Sequence, residues 1–354
     1  MEKVAVVSGC RGQLGSYLSE SLLSKGYKVV GIERRSSSPD YSNIKHFMDN
    51  PNFVLEQGDV TDFGSIARIL KEHKPNEFYN LAAQSFVGAS WDQPIATSDI
   101  NYMGVANCLE AIRLVSPQTR FYQASTSEVY GDVVTDQQDE KSPLRPRSPY
   151  GASKAAAEFL LKVYRDSYGI FACLSRNFNF ESPRRGKQFV TRKITNAIGE
   201  MHAAINHNVN LHLDNQAKFE YALSEGIIKP IKLGNLDAKR DWSHAKDVTQ
   251  AIWLMMQQDK PELFTIGSGR ARSIREFLDE AFGVIDVYDW SELVEVDPKF
   301  YRPAEVNTLC GNATKARTKL GWDNTISFEE LVKEMVLNDI ELNSKKQTNV
   351  QSSS

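Results

Sequence analysis

The sequence predicts an α/β protein with a doubly wound parallel sheet and a smaller, mixed α/β lobe. Short β-branched runs alternate with helical patterns through the first half of the chain, which is typical of βαβ units on a parallel sheet. A glycine-rich turn follows the first of these runs directly, at the position where such sheets bind their ligands. Beyond about Pro183 the pattern changes to longer polar segments and mixed helices, which indicates a second, less regular lobe.

Five of the runs predict buried strands, because each is short, apolar and bounded by turn signals. They are Val4 to Ser8, Lys28 to Glu33, Asn52 to Gln57, Glu77 to Leu81 and Arg120 to Ser125. Between the first two strands, Leu14, Leu18 and Leu22 lie four apart on one predicted helix face, and Gly26 is placed to end that helix. This alternation of strand and helix predicts a Rossmann-type sheet.

Composition argues against several function classes. The formal net charge of −3 and the pI of about 6.1 favour neither nucleic acid nor an anionic membrane as a partner. The four cysteines are scattered without CxxC spacing, so neither a zinc site nor a disulfide framework is indicated, and we expect no bound metal. The sequence shows no secretory leader and no apolar run long enough to span a bilayer, and we expect a cytoplasmic protein.

The first chemical motif is SGCRGQLGS, in which Gly9, Gly12 and Gly15 lie between the first strand and the first helix. Glycines at these positions let the backbone turn tightly and approach a pyrophosphate, whose charge then lies at the helix N-terminus. The alternative is a turn that only packs the helix on the sheet. The second strand ends in IERRSSS, where recognition of a ribose is expected, and this context favours the dinucleotide.

These patterns suggest two lobes of different roles in the 354 residues. We expect a dinucleotide-binding Rossmann domain over residues 1–182, completed by part of residues 243–268. The substrate-binding lobe is expected to cover residues 183–242 and 269–340. Residues 341–354 carry too little apolar content to fold, and they predict a disordered tail.

A second motif pairs the segment STSEVYG with the segment YGASK about twenty residues later. Tyr150 and Lys154 are four apart and share a helix face, so the lysine charge would favour tyrosinate and make the phenol a usable acid or base. The GxxGxxG spacing together with the YxxxK pentad resembles the extended short-chain dehydrogenase/reductase superfamily. Thr126 and Glu128 supply a hydroxyl and a carboxylate just upstream.

Longer strings resemble the sugar-nucleotide dehydratases of that superfamily, and specifically the GDP-mannose 4,6-dehydratase family. The strings are FYQASTSEVYG, PRSPYGASK, ESPRRG, FVTRK, LGNLDAKRDW and FYRPAEV. The resemblance runs from about residue 3 to about residue 340, which is nearly the whole chain. It implies a lyase of nucleotide-sugar metabolism that takes part in deoxysugar biosynthesis.

The resemblance also implies catalytic roles for four residues. Tyr150 would remove the proton from the hydroxyl on carbon 4, and Thr126 would hydrogen-bond the same oxygen. Lys154 would bias the tyrosine and hold the cofactor ribose. Glu128 would take the proton from carbon 5 and assist loss of the hydroxyl on carbon 6, while a bound nicotinamide cofactor carries hydride from carbon 4 to carbon 6. The expected net reaction converts GDP-D-mannose to GDP-4-dehydro-6-deoxy-D-mannose.

Other functions remain open at this stage. The same dehydration could act on a related GDP-sugar such as GDP-manno-heptose, because only the pocket beyond carbon 6 need differ. An epimerase or plain reductase on another nucleotide sugar would not need Glu128 beside the hydroxyl. A non-catalytic dinucleotide sensor is disfavoured, because all four catalytic residues are present.

For the cofactor, the resemblance implies a large contact set that combines the glycine motif with the ends of neighbouring strands. The set is Gly9, Gly12, Gln13, Leu14, Gly15, Glu33, Arg34, Arg35, Asp59, Val60, Leu81, Ala82, Ala83, Gln84, Ser85, Tyr150, Lys154 and Arg185. Glu33 departs from the family pattern, since an acidic side chain there accepts from a free ribose 2′-hydroxyl and repels a 2′-phosphate. The two arginines that follow favour NADP, and NAD remains possible because of Glu33.

Further departures from the family pattern are Phe86 and Phe180, each in place of a histidine, and Ala96 in place of a tyrosine. For the GDP-sugar substrate, the implied contacts combine both lobes, with cations of the second lobe neutralising the diphosphate. These contacts are Ser85, Thr126, Asn179, Lys193, Arg240, Arg302 and Glu305.

Two features concern surfaces rather than the site. The loop from Arg34 to Asp40 is too polar to pack in a core, and in the resembling family it reaches a neighbouring subunit. We therefore expect a homo-oligomer, with a homotetramer favoured over a dimer. About twenty residues precede LGNLDAKRDW in excess of the family pattern, around residues 207–230, and they predict either a surface excursion or a lid over the cleft.

Overall fold

The computed structural model describes residues 3–301, 304 and 306–351. The strands are β1 Val4–Ser8, β2 Lys28–Glu33, β3 Phe53–Gln57, β4 Glu77–Asn80, β5 Arg120–Thr126, β6 Ala172–Asn177, β7 Asn179–Glu181, β8 Ile231–Leu233, β9 Lys239–His244, β10 Leu263–Ile266, β11 Ala271–Ser273, β12 Val294–Val296 and β13 Thr308–Leu309. The α-helices are α1 Gln13–Ser24, α2 Phe63–His73, α3 Val87–Asp92, α4 Pro94–Ser98, α5 Gly104–Val115, α6 Pro149–Tyr168, α7 Val190–Asn208, α8 Asn215–Ser224, α9 Ala245–Met256, α10 Ile274–Gly283, α11 Thr314–Leu320 and α12 Phe328–Gln351.

A seven-stranded parallel sheet forms the centre of the first lobe, with the strand order β10-β6-β5-β4-β1-β2-β3. The chain builds outward from β1 to β3, and then returns to place β4 on the other side of β1. The predicted fold class is confirmed. The five predicted strands agree with β1 to β5 to within one residue at each end.

Helices cover both faces of this sheet, because neighbouring residues of a parallel strand point to opposite faces and both sets are apolar. In β1, Ala5 and Val7 pack with α1 and α9 on one face. Val6 packs with α2, α5 and α6 on the other face. Since both faces are buried, the chemistry of this lobe is left to the ends of the strands.

The second lobe is built around β9, which pairs with β7, β11 and β13. Trp242 of β9 lies against Phe277 and Phe328, with ring centroids 5.4 and 5.9 Å away. The chain later returns to the first lobe, since α11 packs with the core of that lobe. Trp322, just after α11, donates from its indole nitrogen to the backbone oxygen of Asp247 at 2.7 Å.

Helix α12 runs along α7 to Gln351, so the expectation of a disordered tail from residue 341 is wrong as far as residue 351. The helix continues because the side chain of Asn343 is buried and donates to the backbone oxygen of Asp339 at 2.8 Å. Asn343 also packs closely against Gly199 of α7. Within the described residues, no helix, this one included, is both long enough and apolar enough to cross a membrane.

The additional segment near residues 207–230 forms α8, which packs on the core of the second lobe. Phe219 and Ala222 of α8 are buried, and Ile228 follows them into the same cluster. The described residues 205–230 contribute nothing to the lining of the interlobe cleft. The structure therefore favours a surface excursion over a lid.

The first prediction concerns the charged contact that ties α12 to α7. Asp339 is fully buried and accepts hydrogen bonds from Arg192 and from the hydroxyl of Thr195. Removal of one partner from a buried pair leaves an uncompensated charge, so Asp339→Ala should lower the free energy of unfolding by roughly 3–5 kcal/mol. Urea denaturation followed by circular dichroism measures the change.

The matched control is Asp166→Ala, which breaks the exposed pair with Lys162 on α6. Exposed pairs contribute little, and this variant should keep the wild-type midpoint. Equal midpoints for Asp339→Ala and wild type would contradict the assignment of the buried pair as the main tie between the two helices.

Candidate functional site

A cleft of about 1280 Å³ lies between the lobes, at the carboxyl ends of the central strands. One wall is formed by the turn after β1, the segment after β4, the end of β5 and the first turns of α6. The other wall is formed by β7, the start of α7 and β9. In open α/β sheets, ligands bind outside the carboxyl ends of the strands at the point where the strand order reverses. The cleft occupies that position, next to β1 and β4.

The glycine motif forms the tight turn that the sequence predicted. Gly9 has φ +68°, a conformation that L side chains rarely adopt. A Cβ atom on Gly15 would lie 2.2 Å from the backbone oxygen of Gly9, so only glycine permits this approach of helix and turn. Helix α1 has no side-chain cap at Gly12, and the residues of its first turn line the cleft. This is the arrangement that holds the phosphates of a dinucleotide.

A row of buried hydrogen bonds fixes the strand ends beside this turn. The hydroxyl of Ser8 donates to the side-chain oxygen of Asn80 at 2.6 Å and accepts from the backbone nitrogens of Leu81 and Ala82. Asn80 in turn donates to the side-chain oxygen of Gln123 at 2.8 Å. The row links β1, β4 and β5, so the floor of the cleft is held as one unit.

The segment after β4 is held from behind by Asn101, which lies in a π-helical turn between α4 and α5. Asn101 accepts from the backbone nitrogen of Gln84 and donates to its backbone oxygen, both at 3.0 Å. It also contacts the hydroxyl of Ser153 on α6 at 3.3 Å. The side chain of Gln84 points away from the cleft, where it bonds Thr97 and the backbone of Phe86.

The end of β2 carries a carboxylate, Glu33, whose negative charge is balanced in part by its neighbours. Arg11 from the glycine turn approaches Glu33 at 3.7 Å, and the hydroxyl of Tyr41 donates to Glu33 at 3.5 Å. The guanidinium of Arg11 lies over the ring of Tyr41, 5.4 Å from its centroid. Arg34 lines the cleft beside this group, whereas Arg35 is exposed and does not line it. This end of the cleft therefore holds the Glu33 carboxylate together with two arginines.

Strand β5 delivers a hydroxyl and a carboxylate to the centre of the cleft. Thr126 ends the strand, and its hydroxyl accepts from the backbone nitrogen of Glu128 at 3.2 Å, which starts a short 3₁₀ turn. A Cβ atom on Gly151 would lie 2.7 Å from the backbone oxygen of Glu128. The first turn of α6 consequently lies directly against the Glu128 turn, and the two segments share one fixed geometry.

Helix α6 presents Tyr150 and Lys154 toward the same point. Ser148 caps the helix by accepting from the backbone nitrogen of Gly151 at 3.0 Å, and Pro149 occupies the first turn. Burial raises the pKa of Tyr150 to about 12, although a hydrogen bond with Thr126 lowers it in part. Burial lowers the pKa of Lys154 to about 8. Both groups are thus held in their neutral forms more strongly than in water.

The ammonium of Lys154 donates to the backbone oxygen of Ala124 on β5 at 3.0 Å. This contact crosses from α6 to β5 beneath the cleft. Ala124 lies two residues before Thr126, so the lysine is tied to the strand that carries the hydroxyl. Tyr150 and Lys154 lie on one face of α6, and the Thr126 hydroxyl and the Glu128 carboxylate lie at the end of β5 and just after it. Together these groups could act as acids and bases.

The second lobe places polar side chains on the opposite wall. Asn179 of β7, Lys193 of α7 and Arg240 of β9 line the cleft. The ammonium of Lys193 donates to the backbone oxygen of Lys232 at 2.6 Å and lies over the ring of Phe300 at 3.6 Å. Burial lowers the pKa of Lys193. Two cations on this wall are suited to a ligand with phosphate groups.

An aromatic wall joins the two sides of the cleft. The guanidinium of Arg185 lies over the ring of Phe189 at 3.6 Å and pairs with Glu181 at 3.1 Å. Phe86 meets Phe189 edge to face, with ring centroids 5.7 Å apart. Phe180 also lines the cleft. The two phenylalanines at positions where the family pattern has histidine therefore both line the cleft.

The structure brings most of the predicted contact residues to the cleft. Those of the cofactor set that line it are Gly9, Gly12, Gln13, Leu14, Gly15, Glu33, Arg34, Asp59, Val60, Leu81, Ala82, Ala83, Ser85, Tyr150, Lys154 and Arg185. Of the substrate set, the lining residues are Ser85, Thr126, Asn179, Lys193 and Arg240. Arg302 and Glu305 lie outside the described residues, and Gln84 and Arg35 are the described members that do not line the cleft.

Sequence reasoning missed Arg11, Asn101 and Phe189. Arg11 stands inside the glycine motif, so its position next to the end of β2 is a signal that could have found it. Asn101 gives no such signal, because its role depends on a π-helical turn. Phe189 opens the FVTRK string and lies four residues after Arg185, and this spacing is a signal that could have found it, whereas its contact with the distant Phe86 gives none.

Comparison with known proteins gives one consistent result. The family model described as GDP-mannose 4,6 dehydratase matches residues 6–223 and 221–335. The chain is 40% identical to GDP-mannose 4,6-dehydratase of Vibrio cholerae, over 97% of this chain and 95% of that protein. It is 42% identical to the human GDP-mannose 4,6 dehydratase, over 96% and 92% of the two chains.

The fold is also that of solved structures. The crystal structure of dTDP-glucose 4,6-dehydratase from Bacillus anthracis, in complex with NAD, superposes with a TM-score of 0.79 at 23% identity. The match covers 97% of this chain and 98% of that chain. At this identity the likeness establishes the fold.

The second prediction tests the cradle formed by the glycine turn. Gly15→Ala would place a methyl group 2.2 Å from the backbone oxygen of Gly9 and push the turn away from the first N–H groups of α1. The variant should lose at least ten-fold in dinucleotide affinity, because one misplaced charge-assisted hydrogen bond is worth roughly 1.5–3 kcal/mol. Isothermal titration with NADP and with NAD measures the affinity.

Gly283→Ala is the matched control, since a Cβ atom on Gly283 meets nothing within 4 Å. That variant should bind as the wild type does. Wild-type affinity in Gly15→Ala would show that the turn does not hold the cofactor.

Proposed function

Since this chain belongs to the GDP-mannose 4,6-dehydratase family, we propose that it converts GDP-D-mannose to GDP-4-dehydro-6-deoxy-D-mannose with loss of water. The protein is a hydro-lyase of the short-chain dehydrogenase/reductase fold. The observation that carries the proposal is that Thr126, Glu128, Tyr150 and Lys154 all line the cleft, with Thr126 hydrogen-bonded to Tyr150. A simple reduction needs no second base, whereas a dehydration must also remove a proton from carbon.

A nicotinamide cofactor, when bound, supplies the acceptor and then the donor of the hydride that moves from carbon 4 to carbon 6. The glycine turn, the N-terminus of α1 and the segment after β4 would hold it, because these backbone groups form the cradle of the cleft. Lys154 would donate to its ribose. Tyr150 takes the proton from the hydroxyl on carbon 4, and Thr126 hydrogen-bonds both this oxygen and the tyrosine.

Glu128 acts on the next carbon. Once carbon 4 is a ketone, the proton on carbon 5 becomes acidic, and a carboxylate within reach can remove it. Glu128 then hands a proton to the departing hydroxyl on carbon 6, so that water leaves. The backbone of Glu128 is fixed by Thr126 on one side and by Gly151 on the other, which supports a constant distance between this base and Tyr150.

The second lobe would bind the GDP part of the substrate. Lys193 and Arg240, which line the cleft, would neutralise the diphosphate, and Asn179 lies where the lobes meet. Burial lowers the pKa of Lys193, and an anionic ligand beside it would favour the charged ammonium and raise that pKa again. Arg302 and Glu305 remain candidates for the same nucleotide.

For the cofactor we propose NADP. A bare Glu33 would repel a 2′-phosphate, but Arg11 and Tyr41 both contact its carboxylate and reduce its field. Arg34 in the cleft and Arg35 nearby add two cations at the same end. The alternative is NAD, with Glu33 accepting from the free 2′-hydroxyl.

We further propose that the protein assembles as a homotetramer. The loop from Arg34 to Asp40 is exposed along its whole length in the single chain. It begins at the cofactor end of the cleft, so contacts with a neighbouring subunit would couple assembly to cofactor binding. Two functions for one loop explain why it is longer and more polar than a cofactor phosphate alone requires.

The third prediction concerns the carboxylate. Glu128→Gln should fold and bind cofactor, yet lose dehydration by a factor of about 10²–10⁴, which is typical of removing an acid or base group. Incubation with GDP-mannose and mass spectrometry for the loss of one water measure the activity. Asp132→Asn is the control, because Asp132 pairs with Arg147 outside the cleft. Undiminished turnover in Glu128→Gln would overturn the assignment.

The fourth prediction concerns the arginine loop. Wild-type protein should release NADP on denaturation and run as a tetramer of a 39.9 kDa chain in gel filtration with light scattering. Arg35→Glu should release at least ten-fold less NADP and shift to a smaller species, because charge reversal acts on both contacts.

Lys229→Glu, an exposed charge reversal on the second lobe, is the control and should change neither quantity. Release of NAD alone from the wild type would overturn the choice of NADP. An unchanged mass in Arg35→Glu would overturn the role of the loop in assembly.

A further inference from the structure

A buried ion pair lies behind the catalytic residues and outside the lining of the cleft. Glu158 of α6 and Arg176 of β6 have side chains that are 6% and 7% exposed, and their charged atoms approach to 2.9 Å. The second nitrogen contact, from Nε of Arg176, measures 3.0 Å. No step of the proposed reaction uses either residue.

The pair is hydrogen-bonded to the strand that carries the catalytic hydroxyl. The hydroxyl of Ser125 donates to Oε1 of Glu158 at 2.5 Å. Ser125 stands between Ala124, which accepts from Lys154, and Thr126, which contacts Tyr150. Two adjacent residues of β5 are therefore tied to α6, one by Lys154 and the other by Glu158.

Glu158 also faces Lys154 along the helix. The two are four residues apart and so lie on the same side of α6, one turn from each other. Burial lowers the pKa of Lys154, and the charge of Glu158 opposes that change. From β6, Arg176 faces Glu158, and Tyr130, after the turn that follows β5, lies under the guanidinium of Arg176 at 5.2 Å.

Stability alone gives little reason for this pair. Buried ion pairs lose so much hydration that well-packed apolar residues often replace them without loss. Here the buried carboxylate is shared among a helix, two strands and the catalytic lysine. That arrangement instead fits a role in setting geometry and charge at the site.

We propose that Glu158 is a positioning residue for the dehydration: it locks the end of β5 to α6 and keeps the Lys154 ammonium charged. The proposal rests on the proposed function, because it assigns Glu158 through Lys154 and Thr126. Removal of its charge would favour neutral Lys154, and the lysine would then lose its proton at lower pH.

The fifth prediction follows from the direction of this change in the pKa of Lys154. In Glu158→Gln, the alkaline limb of the pH profile of kcat/KM should move to lower pH by about one unit, as expected for the loss of one nearby charge in a buried site. Glu158→Asp keeps the charge and should restore the limb, even with a lower kcat. A wild-type limb in Glu158→Gln, accompanied only by a lower melting temperature, would overturn the proposal.

Ser125→Ala tests the link to β5 separately. It also keeps the proposal testable if Glu158→Gln does not fold. It removes the hydrogen bond to Glu158 and retains the charge, so kcat should fall about ten-fold with the limb and KM unchanged, which corresponds to one lost hydrogen bond. Wild-type kcat in Ser125→Ala would overturn the locking role.

A readout without substrate separates this proposal from the proposed function. Isotope-edited NMR of the lysine ε-carbons, with Lys154→Arg to assign the signal, follows the titration of Lys154 directly. The Lys154 pKa should be lower in Glu158→Gln than in the wild type, and equal values would overturn the proposal. Failure of the wild type to dehydrate GDP-mannose, with the Lys154 shift present, would overturn only the proposed function.

Discussion

The contact between the first turn of α6 and the turn after β5 determines the geometry of the whole site. Gly151 lies so close to the backbone oxygen of Glu128 that no side chain fits between them. Tyr150 flanks that glycine, and Thr126 ends the strand just before the turn. The positions of a phenol, a carboxylate and a hydroxyl therefore follow from one backbone approach, and side-chain rotamers add only the last adjustment.

The second lobe is positioned by contacts of a different kind. Strand β7 follows β6 after a single residue, yet it pairs with β9 of the other lobe. The lobes are thus joined by continuous backbone at the edge of the cleft, next to the side chain of Asn179. Behind this junction, the buried pair of Arg192 and Asp339 fixes α7, which carries Lys193, against the long C-terminal helix.

Much of the fold and of the candidate site could be predicted from the sequence, for physical reasons. The strands of the first lobe are buried on both faces, so their apolar runs predicted β1 to β5 almost to the residue. The glycine spacing and the YxxxK pentad are local, and local patterns survive in sequence. Asn101 contacts Gln84 and Phe189 meets Phe86, and such contacts between residues distant in the sequence leave no local pattern. The helical end of α12 was missed because its anchor, Asn343, is polar.

The hydrogen bonds of Gln13 connect the cofactor turn to the opposite lobe. Its side chain donates to the backbone oxygen of Phe180 at 3.0 Å and accepts from the hydroxyl of Ser182 at 2.7 Å. Any movement of one lobe relative to the other would therefore disturb these hydrogen bonds at the start of α1. If a ligand that fixes the lobes relative to each other strengthens dinucleotide binding through these bonds, thermodynamic reciprocity requires that the dinucleotide strengthens binding of that ligand by the same factor. An enzyme that regenerates its cofactor in every cycle would benefit from this coupling, because bound substrate would raise the affinity for the cofactor.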